Sequence, residues 1–177
     1  MKKLIAVILV IGVALFSSSF SQTDETSKPQ IKWFTMEQAV KANETAPRKI
    51  FFDVYTQWCG WCKRMDATTF QHPQIIEYIN ENFYAVKFDA ESKKEINVNG
   101  KKYANPNRTH EFALKMLQGK MSYPSFVVYD ETLNNIGIIP GFKSAKDFEP
   151  ILNYFASNTY KTKSWEEYRT DFKGKIE

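Results

Sequence analysis

Cysteine and histidine are scarce in this chain, which has only two of each among its 177 residues. A structural zinc site usually takes four protein ligands, supplied as two pairs of cysteine or histidine. The cysteines supply one pair, and the only histidines are His72 and His110. The sequence therefore argues against tetrahedral zinc, and we expect no metal site and no cofactor. We expect both histidines to be ordinary surface or capping residues rather than proton shuttles.

A strong excess of charge of one sign is also absent. The chain has 24 Lys and Arg against 20 Asp and Glu, a formal net charge of +4. Two of the cations, Lys2 and Lys3, lie in the first three residues, before any acidic residue. Internal repeats and low-complexity tracts are missing as well. This balance does not favour binding to nucleic acid.

The chain has one long apolar run, and it lies at the N-terminus. Leu4–Phe16 is apolar over 13 residues, follows two lysines, and is followed by small residues at Ser19 and Ser21. This pattern predicts a signal peptide over residues 1–21, cleaved before Gln22. The alternative is an uncleaved anchor, but a bilayer requires about 20 apolar residues. We expect an exported protein, most simply in a bacterial periplasm, with no stable membrane insertion.

The rest of the chain has the length of a single domain. Residues 22–30 are polar and contain Pro29, which is typical of a flexible leader. Residues 31–177 are long enough to bury an adequate core. We therefore expect one domain, present as a monomer.

Strand and helix patterns alternate along this domain. Strands are predicted at 49–55, 83–89, 125–130 and 135–139. Helices are predicted at about 36–44, 60–70, 75–80, 108–118 and from 145 onward, and a capping box at Ser164 starts a short terminal helix. This order implies an α/β sandwich in which helices flank a central mixed sheet.

A polar insert at about 90–107 interrupts the alternation. Its Asn99-Gly100 dipeptide is the preferred centre of a tight hairpin turn. The residues on either side, 96–98 and 101–103, are therefore predicted to form a small antiparallel ribbon.

Both cysteines belong to one pentapeptide, Trp58-Cys59-Gly60-Trp61-Cys62. A disulfide across so short a loop stabilises a fold by only about 2 kcal/mol, against about 3 kcal/mol for a fifteen-residue loop. Redox chemistry is therefore the better explanation of the pair. At the start of a helix, Cys59 is favoured as a thiolate and is the predicted nucleophile, while Cys62 is the predicted resolving thiol. Binding of copper(I) by the two thiols is an alternative.

An acidic residue, Asp53, lies in the middle of the apolar strand 49–55. Burial in a sheet covered on both faces would raise its pKa. A carboxylate with a pKa near neutral suits a general base that removes the proton of Cys62, directly or through one water. In the alternative, Asp53 pairs with Lys87 of the neighbouring strand and serves stability alone, and both roles can coexist.

Two tryptophans flank the thiols. Trp58 and Trp61, with Gly60 between the cysteines, are predicted to form an apolar surface that docks extended chains. Alternatively, Trp58 packs as a lid over the buried acid and only Trp61 makes surface contacts. For Trp58 we favour this packing role.

These features together resemble the thioredoxin-fold family, in its exported subgroup with a Trp-Cys-Gly-x-Cys-Lys motif. The resemblance covers about residues 31–157. It rests on the strand that leads into the motif, Asp53 six residues before Cys59, Tyr123-Pro124 before the next-to-last strand, and Gly141 after the last strand. The departures are Trp61, where cytoplasmic thioredoxins usually carry proline, the 90–107 insert and the terminal helix.

The resemblance implies a three-layer sandwich and a set of roles. Asp53 would act as the base, and Lys87 is a lysine often found beside it. The Tyr123–Pro124 bond would be cis, against a trans alternative that base rates favour, and Tyr123 would offer backbone hydrogen bonds to an extended substrate. The expected activity is reduction of protein disulfides, with electrons from a membrane-embedded reductase. A disulfide oxidase or isomerase, or a copper(I) chaperone, remains the alternative.

Overall fold

The computed structural model describes residues 28–177. The predicted signal peptide and all of the predicted leader except residues 28–30 lie outside the described residues. Residues 28–30 are exposed and have no regular secondary structure. The side-chain amide of Asn80 donates to the carbonyl of Gln30 (2.9 Å), which fixes the point where the chain enters the domain.

A mixed sheet of five strands forms the centre of the domain, in the order β1-β3-β2-β6-β7. The strands β1 and β3 run parallel to β2, whereas β6 is antiparallel to β2 and to β7. Within the described chain the strands are β1 (Trp33–Phe34), β2 (Lys49–Tyr55), β3 (Phe83–Asp89), β4 (Ile96–Val98), β5 (Lys101–Tyr103), β6 (Ser125–Tyr129) and β7 (Asn135–Pro140).

Helices cover both faces of this sheet, which confirms the predicted three-layer α/β sandwich. They are α1 (Met36–Thr45), α2 (Gly60–Ala67), α3 (Pro73–Asn82), α4 (Glu111–Met116), α5 (Ala145–Ala156) and α6 (Trp165–Asp171). Short 3₁₀ turns follow α2 and α5. Capping boxes at Thr35 and Ser164 start α1 and α6, as the sequence predicts.

The two faces of the sheet carry separate hydrophobic clusters, because side chains alternate along each strand. On β2, Phe52 and Val54 join a cluster with Phe112 of α4. Phe51 faces the other way and joins a cluster with Met65 of α2 and Phe148 of α5. Asp53 has the same parity as Phe51, so it points to the face that α2 covers.

The structure corrects the predicted element order at the N-terminus. Strand β1, at Trp33–Phe34, was not predicted, because two residues show no alternation that a sequence pattern could reveal. It becomes a strand by parallel pairing with β3. Helix α4 is also shorter than predicted, since it begins only after His110, whose side chain accepts from the Phe112 N–H (3.1 Å).

The insert forms the expected ribbon, with β4 antiparallel to β5 across Asn99-Gly100. Ile96, Val98 and Tyr103 of this ribbon are buried in the cluster that contains Phe112. The ribbon is therefore part of the core on one face of the sheet. Within the described chain, no helix has the length and hydropathy required to cross a bilayer.

Replacing Gly137 on β7 with alanine tests the packing between the sheet and α5. A methyl group at Gly137 would overlap the ring of Phe155. We expect Gly137→Ala to lower the free energy of unfolding by about 1–3 kcal/mol through overpacking, measured by urea denaturation. The same change in a Phe155→Leu background should cost less, since Leu removes the atoms that clash. An unchanged unfolding free energy for Gly137→Ala would contradict this packing.

Candidate active site

The two cysteines form a disulfide at the start of α2. Their Cα atoms are 5.3 Å apart. Cys59 is the N-cap residue, and its Sγ accepts a hydrogen bond from the backbone N–H of Cys62 (3.0 Å). The unpaired N–H groups and the positive end of the helix dipole therefore face this sulfur. Such an environment favours a thiolate on Cys59 once the disulfide is reduced.

A tight turn connects β2 to α2 and fixes Cys59. The N–H of Cys59 donates to the carbonyl of Thr56 (3.1 Å), and the carbonyl of Cys59 accepts from Lys63 (3.2 Å). The two cysteines are nearly equal in exposure, at 4% and 3% of their surfaces.

Asp53 lies on β2 and is almost completely buried, with 1% of its surface exposed. Its strand neighbours are Lys87 of β3 and Phe126 of β6. One carboxyl oxygen, Oδ1, has no hydrogen-bond partner among residues 28–177. Such an unpaired polar atom is costly in a protein interior, and its retention points to a chemical use.

Lys87 is shared between two carboxylates. Its Nζ lies 3.7 Å from Oδ2 of Asp53 and forms a closer ion pair with Asp66 on α2. The predicted pairing of Asp53 with Lys87 is therefore present, but Lys87 is drawn toward a second acid. Sequence reasoning missed Asp66. The available signal was its spacing, four residues after Cys62, which places both on one side of α2.

This arrangement raises the pKa of Asp53. Burial of the carboxyl raises its pKa from the ordinary value of 3.8 to about 7, against the opposing effect of the Lys87 charge. The negative charge of Asp66 adds to the increase. At neutral pH the side chain can therefore both accept and release a proton, as a general base requires.

Tyr123 and Pro124 precede β6, next to the end of β2. The Tyr123–Pro124 peptide bond is cis, as the family resemblance implies. The carbonyl of Pro124 accepts from the N–H of Gly141 (2.8 Å), which ties the start of β6 to the end of β7. Among residues 28–177, no hydrogen bond engages the backbone of Tyr123.

The tryptophans of the motif lie on the surface. Trp58 is 67% exposed and Trp61 58% exposed. Trp58 meets the ring of Tyr123 edge-on at 5.9 Å, and its Nε1 donates to Glu91 (3.1 Å). The packing role favoured for Trp58 from the sequence does not agree with this exposure. Trp61 lies 5.3 Å from the ring of Phe142.

The described histidines and acids do not form a metal-binding cluster. Within residues 28–177, no three His, Cys, Asp or Glu side chains are arranged to hold a metal ion. His110 caps α4 and contacts the carbonyl of Lys94 through Nε2 (3.0 Å), as a capping histidine does.

The Cys59–Cys62 disulfide lies at a helix N-terminus, and a buried acid lies on the sheet face that this helix covers. A mixed sheet between two helical layers holds these groups in place. This combination defines the class of thioredoxin-fold thiol–disulfide oxidoreductases.

Comparison with known proteins agrees with this class. Residues 35–156 match the model of the thioredoxin-like domain family, and the chain belongs to that family. An uncharacterized protein of Archaeoglobus fulgidus is 30% identical over 95 residues, which span 53% of this chain and 72% of that protein. With its Cys59–Cys62 disulfide, the chain is a thioredoxin-like thiol–disulfide oxidoreductase.

Solved structures share the fold at low sequence identity. A thioredoxin-fold protein from Helicobacter pylori has a TM-score of 0.54 and 19% identity, over 70% of this chain and 79% of that one. DsbH oxidoreductase has a TM-score of 0.54 and 16% identity, over 81% and 94%. The oxidised C-terminal domain of Neisseria meningitidis DsbD has a TM-score of 0.50 and 20% identity, over 72% and 99%.

The raised pKa of Asp53 predicts a specific pH dependence of stability. Between pH 3.8 and about 7, the native protein keeps a proton that the unfolded chain has lost. Stability therefore falls as pH rises through this interval, by up to about 4 kcal/mol. Asp53→Asn should remove this decrease and be more stable than the wild type at pH 8. Urea denaturation from pH 4 to 8 measures it, and parallel curves for the two proteins would contradict it.

A second prediction concerns Asp66. Asp66→Asn removes a negative charge that raises the pKa of Asp53, and it frees Lys87 to approach Asp53. The pKa of Asp53 should therefore fall, as followed by carbon-13 NMR of its carboxyl group. Glu44→Gln, at an exposed position on α1, serves as the control and should leave that pKa unchanged. An Asp53 pKa that is unaffected by Asp66→Asn would show that Asp66 does not influence the site.

Proposed function

We propose that this protein is exported and reduces disulfides of other proteins in the periplasm. The observation that carries the proposal is the Cys59–Cys62 disulfide at a helix N-terminus, above a buried carboxyl with a pKa of about 7. The signal-peptide pattern of residues 1–21 supports export. We further propose that the protein acts as a monomer.

The reaction proceeds in two exchange steps. In the reduced protein, the Cys59 thiolate attacks one sulfur of a substrate disulfide and forms a mixed disulfide, and the other substrate sulfur leaves as a thiol. Asp53 then takes the proton of Cys62, and the Cys62 thiolate attacks the sulfur of Cys59. The second substrate thiol leaves, and Cys59–Cys62 is oxidised by two electrons. A membrane-embedded reductase returns those electrons.

The position of Asp53 suits the step that releases the reduced substrate. Release of the reduced substrate requires that Cys62 lose its proton inside a nearly closed site, where water is a poor acceptor. Asp53 lies on the sheet face that α2 covers, and its Oδ1 is free to accept. Lys87 maintains the charge balance when Asp53 ionises, because its Nζ lies 3.7 Å from that carboxyl.

Substrate docks across the exposed motif. Trp58, Gly60 and Trp61 supply the apolar contact, and Gly60 has open space above its Cα atom. The free backbone groups of Tyr123, next to Pro124, bind an extended segment as an added strand. This mode requires no particular side chain, so it suits an enzyme that acts on disulfides of several proteins.

The rate of insulin reduction by dithiothreitol tests the enzyme activity. The wild-type protein should accelerate it, and Cys59→Ser should abolish the acceleration because the attacking sulfur is lost. Asp53→Asn should retain mixed-disulfide formation but resolve it at least about tenfold more slowly, since general base catalysis contributes 10²–10⁴-fold. No acceleration by the wild type, together with tight binding of one copper(I), would favour the copper chaperone instead.

Trapping and redox potential decide the direction. Cys62→Ser in the exporting host should hold protein partners on Cys59 as mixed disulfides, which mass spectrometry identifies. A potential near about −270 mV fits a reductant, whereas about −180 mV is typical of an isomerase and about −120 mV of an oxidase. A value above about −150 mV would contradict reduction. Each 30 mV corresponds to about 1.4 kcal/mol, so a protein with that potential would be a much weaker reductant than one at about −270 mV.

A further inference from the structure

The surface around the disulfide lies at one end of the sheet, where four segments meet in strand order. Asp89 ends β3, the cysteine motif follows β2, Tyr123 precedes β6, and Phe142 follows β7. The pairs Tyr55–Asp89, Val54–Ser125 and Ser125–Pro140 place these segments side by side. A partner segment that crosses the disulfide therefore passes from the β3 side to the β7 side.

The β3 side of this surface is negative. Asp89 accepts from the Glu91 N–H (2.9 Å) and from the Gln57 amide (3.1 Å), and Glu91 accepts from Trp58 (3.1 Å). Within residues 28–177, neither carboxylate forms a salt bridge. Both charges reach the docking surface, because together with burial they raise the pKa of Tyr123.

The β7 side is positive. The exposed guanidinium of Arg64 lies 6.0 Å from the ring centre of Trp61 and 5.8 Å from that of Phe142. Arg64 also forms no salt bridge in the described part of the chain. Lys143 lies at the same corner, where its Nζ donates to the carbonyl of Pro140 (2.6 Å). Burial lowers the pKa of Lys143, against the opposing effect of the Asp147 charge.

Each tryptophan thus has a charged side chain beside it, and the two charges have opposite signs. Trp58 donates to the carboxylate of Glu91, and Trp61 lies beside the guanidinium of Arg64. Unpaired charges at a docking surface select partners of complementary charge and reject the reverse arrangement. The backbone contact at Tyr123 adds a fixed chain direction, so the two charges can distinguish one order along a peptide from the other.

We propose that the site prefers an extended protein segment whose disulfide cysteine has a basic side chain on its Trp58 side and an acidic side chain on its Trp61 side. This inference rests on the proposed reductase function and names the partner chemistry of the same surface. The preference acts mainly on the rate of encounter, and it weakens with salt because both charges are exposed.

Two peptides of identical composition test the order of charges. The probes are acetylated and amidated KKGCGEE and EEGCGKK, with neutral QQGCGQQ for reference, and each cysteine is capped as a mixed disulfide with 2-mercaptoethanol. The reduced protein converts each probe to free peptide thiol and 2-mercaptoethanol and becomes oxidised at Cys59–Cys62. The readout is the second-order rate constant of peptide thiol release, from quenched samples separated by chromatography.

We expect one of the two charged orders to react about tenfold faster than the other, because its charges are attracted on both sides of the site and those of the other order are repelled. The difference should largely vanish in 0.5 M salt, because the screening length is then only a few ångströms, on the order of 4 Å. The double variant Glu91→Lys/Arg64→Glu should remove most of this difference, because Asp89 and Lys143 then oppose the new charges on their sides of the surface. The matched control, Glu44→Lys/Lys41→Glu on α1, makes the same charge exchange at exposed positions and should leave the order unchanged.

The outcomes separate this inference from the proposed function. Equal rates for the two charged peptides, with the neutral peptide still reduced, would overturn the charge preference and leave the reductase assignment intact. A preference that the Glu91/Arg64 exchange does not reduce would overturn it as well. Failure to reduce all three peptides would overturn the proposed reduction itself.

Discussion

A carboxyl group inside the apolar sheet is the constraint on which the active site depends. Asp53 is held there by strand alternation, which turns its side chain toward the face that α2 covers. Apolar strands on either side and the helix above exclude water, and this exclusion keeps the pKa near neutral. Burial of Asp53 therefore has two effects: it lowers the stability of the fold, and it raises the pKa of the carboxyl to a value suited to a general base.

The ion pair between Lys87 and Asp66 limits how far Lys87 can lower the pKa of the buried Asp53. A lysine paired fully with Asp53 would lower the pKa of that acid and leave it permanently ionised. Asp66 on α2 binds the same ammonium more closely. The ammonium therefore stays 3.7 Å from Asp53 and stabilises the ionised form of that carboxyl less than a direct pair would. The rings of Trp33 and Tyr55, 5.5 Å and 5.2 Å from the Lys87 nitrogen, also favour this intermediate position.

Local patterns were sufficient to predict the sandwich, the ribbon, the cysteine pair and the buried acid, because each depends on residues close in sequence. Strand β1 could not be predicted in this way, since it is a strand only through its pairing with β3. The contacts of Asp66 and Glu91 were missed for a related reason. The spacing of Asp66 from Cys62 places it beside the motif, but no local pattern identifies Lys87 or Trp58 as the partner of either acid. Their contacts with Lys87 and Trp58 span 21 and 33 residues, and only the tertiary fold creates them.

The insert connects core packing to the docking surface. Its ribbon is buried against Phe112, and the amide of Asn105 donates to the carbonyls of Glu91 (2.9 Å), Ser92 (3.0 Å) and Arg108 (3.1 Å). These bonds close the insert at its base and fix the backbone that carries Glu91. Since Glu91 in turn binds the indole of Trp58, the insert sets the position of one tryptophan beside the disulfide. The 90–107 insert thus supplies the carboxylate of Glu91 and orients Trp58 on the β3 side of the docking surface.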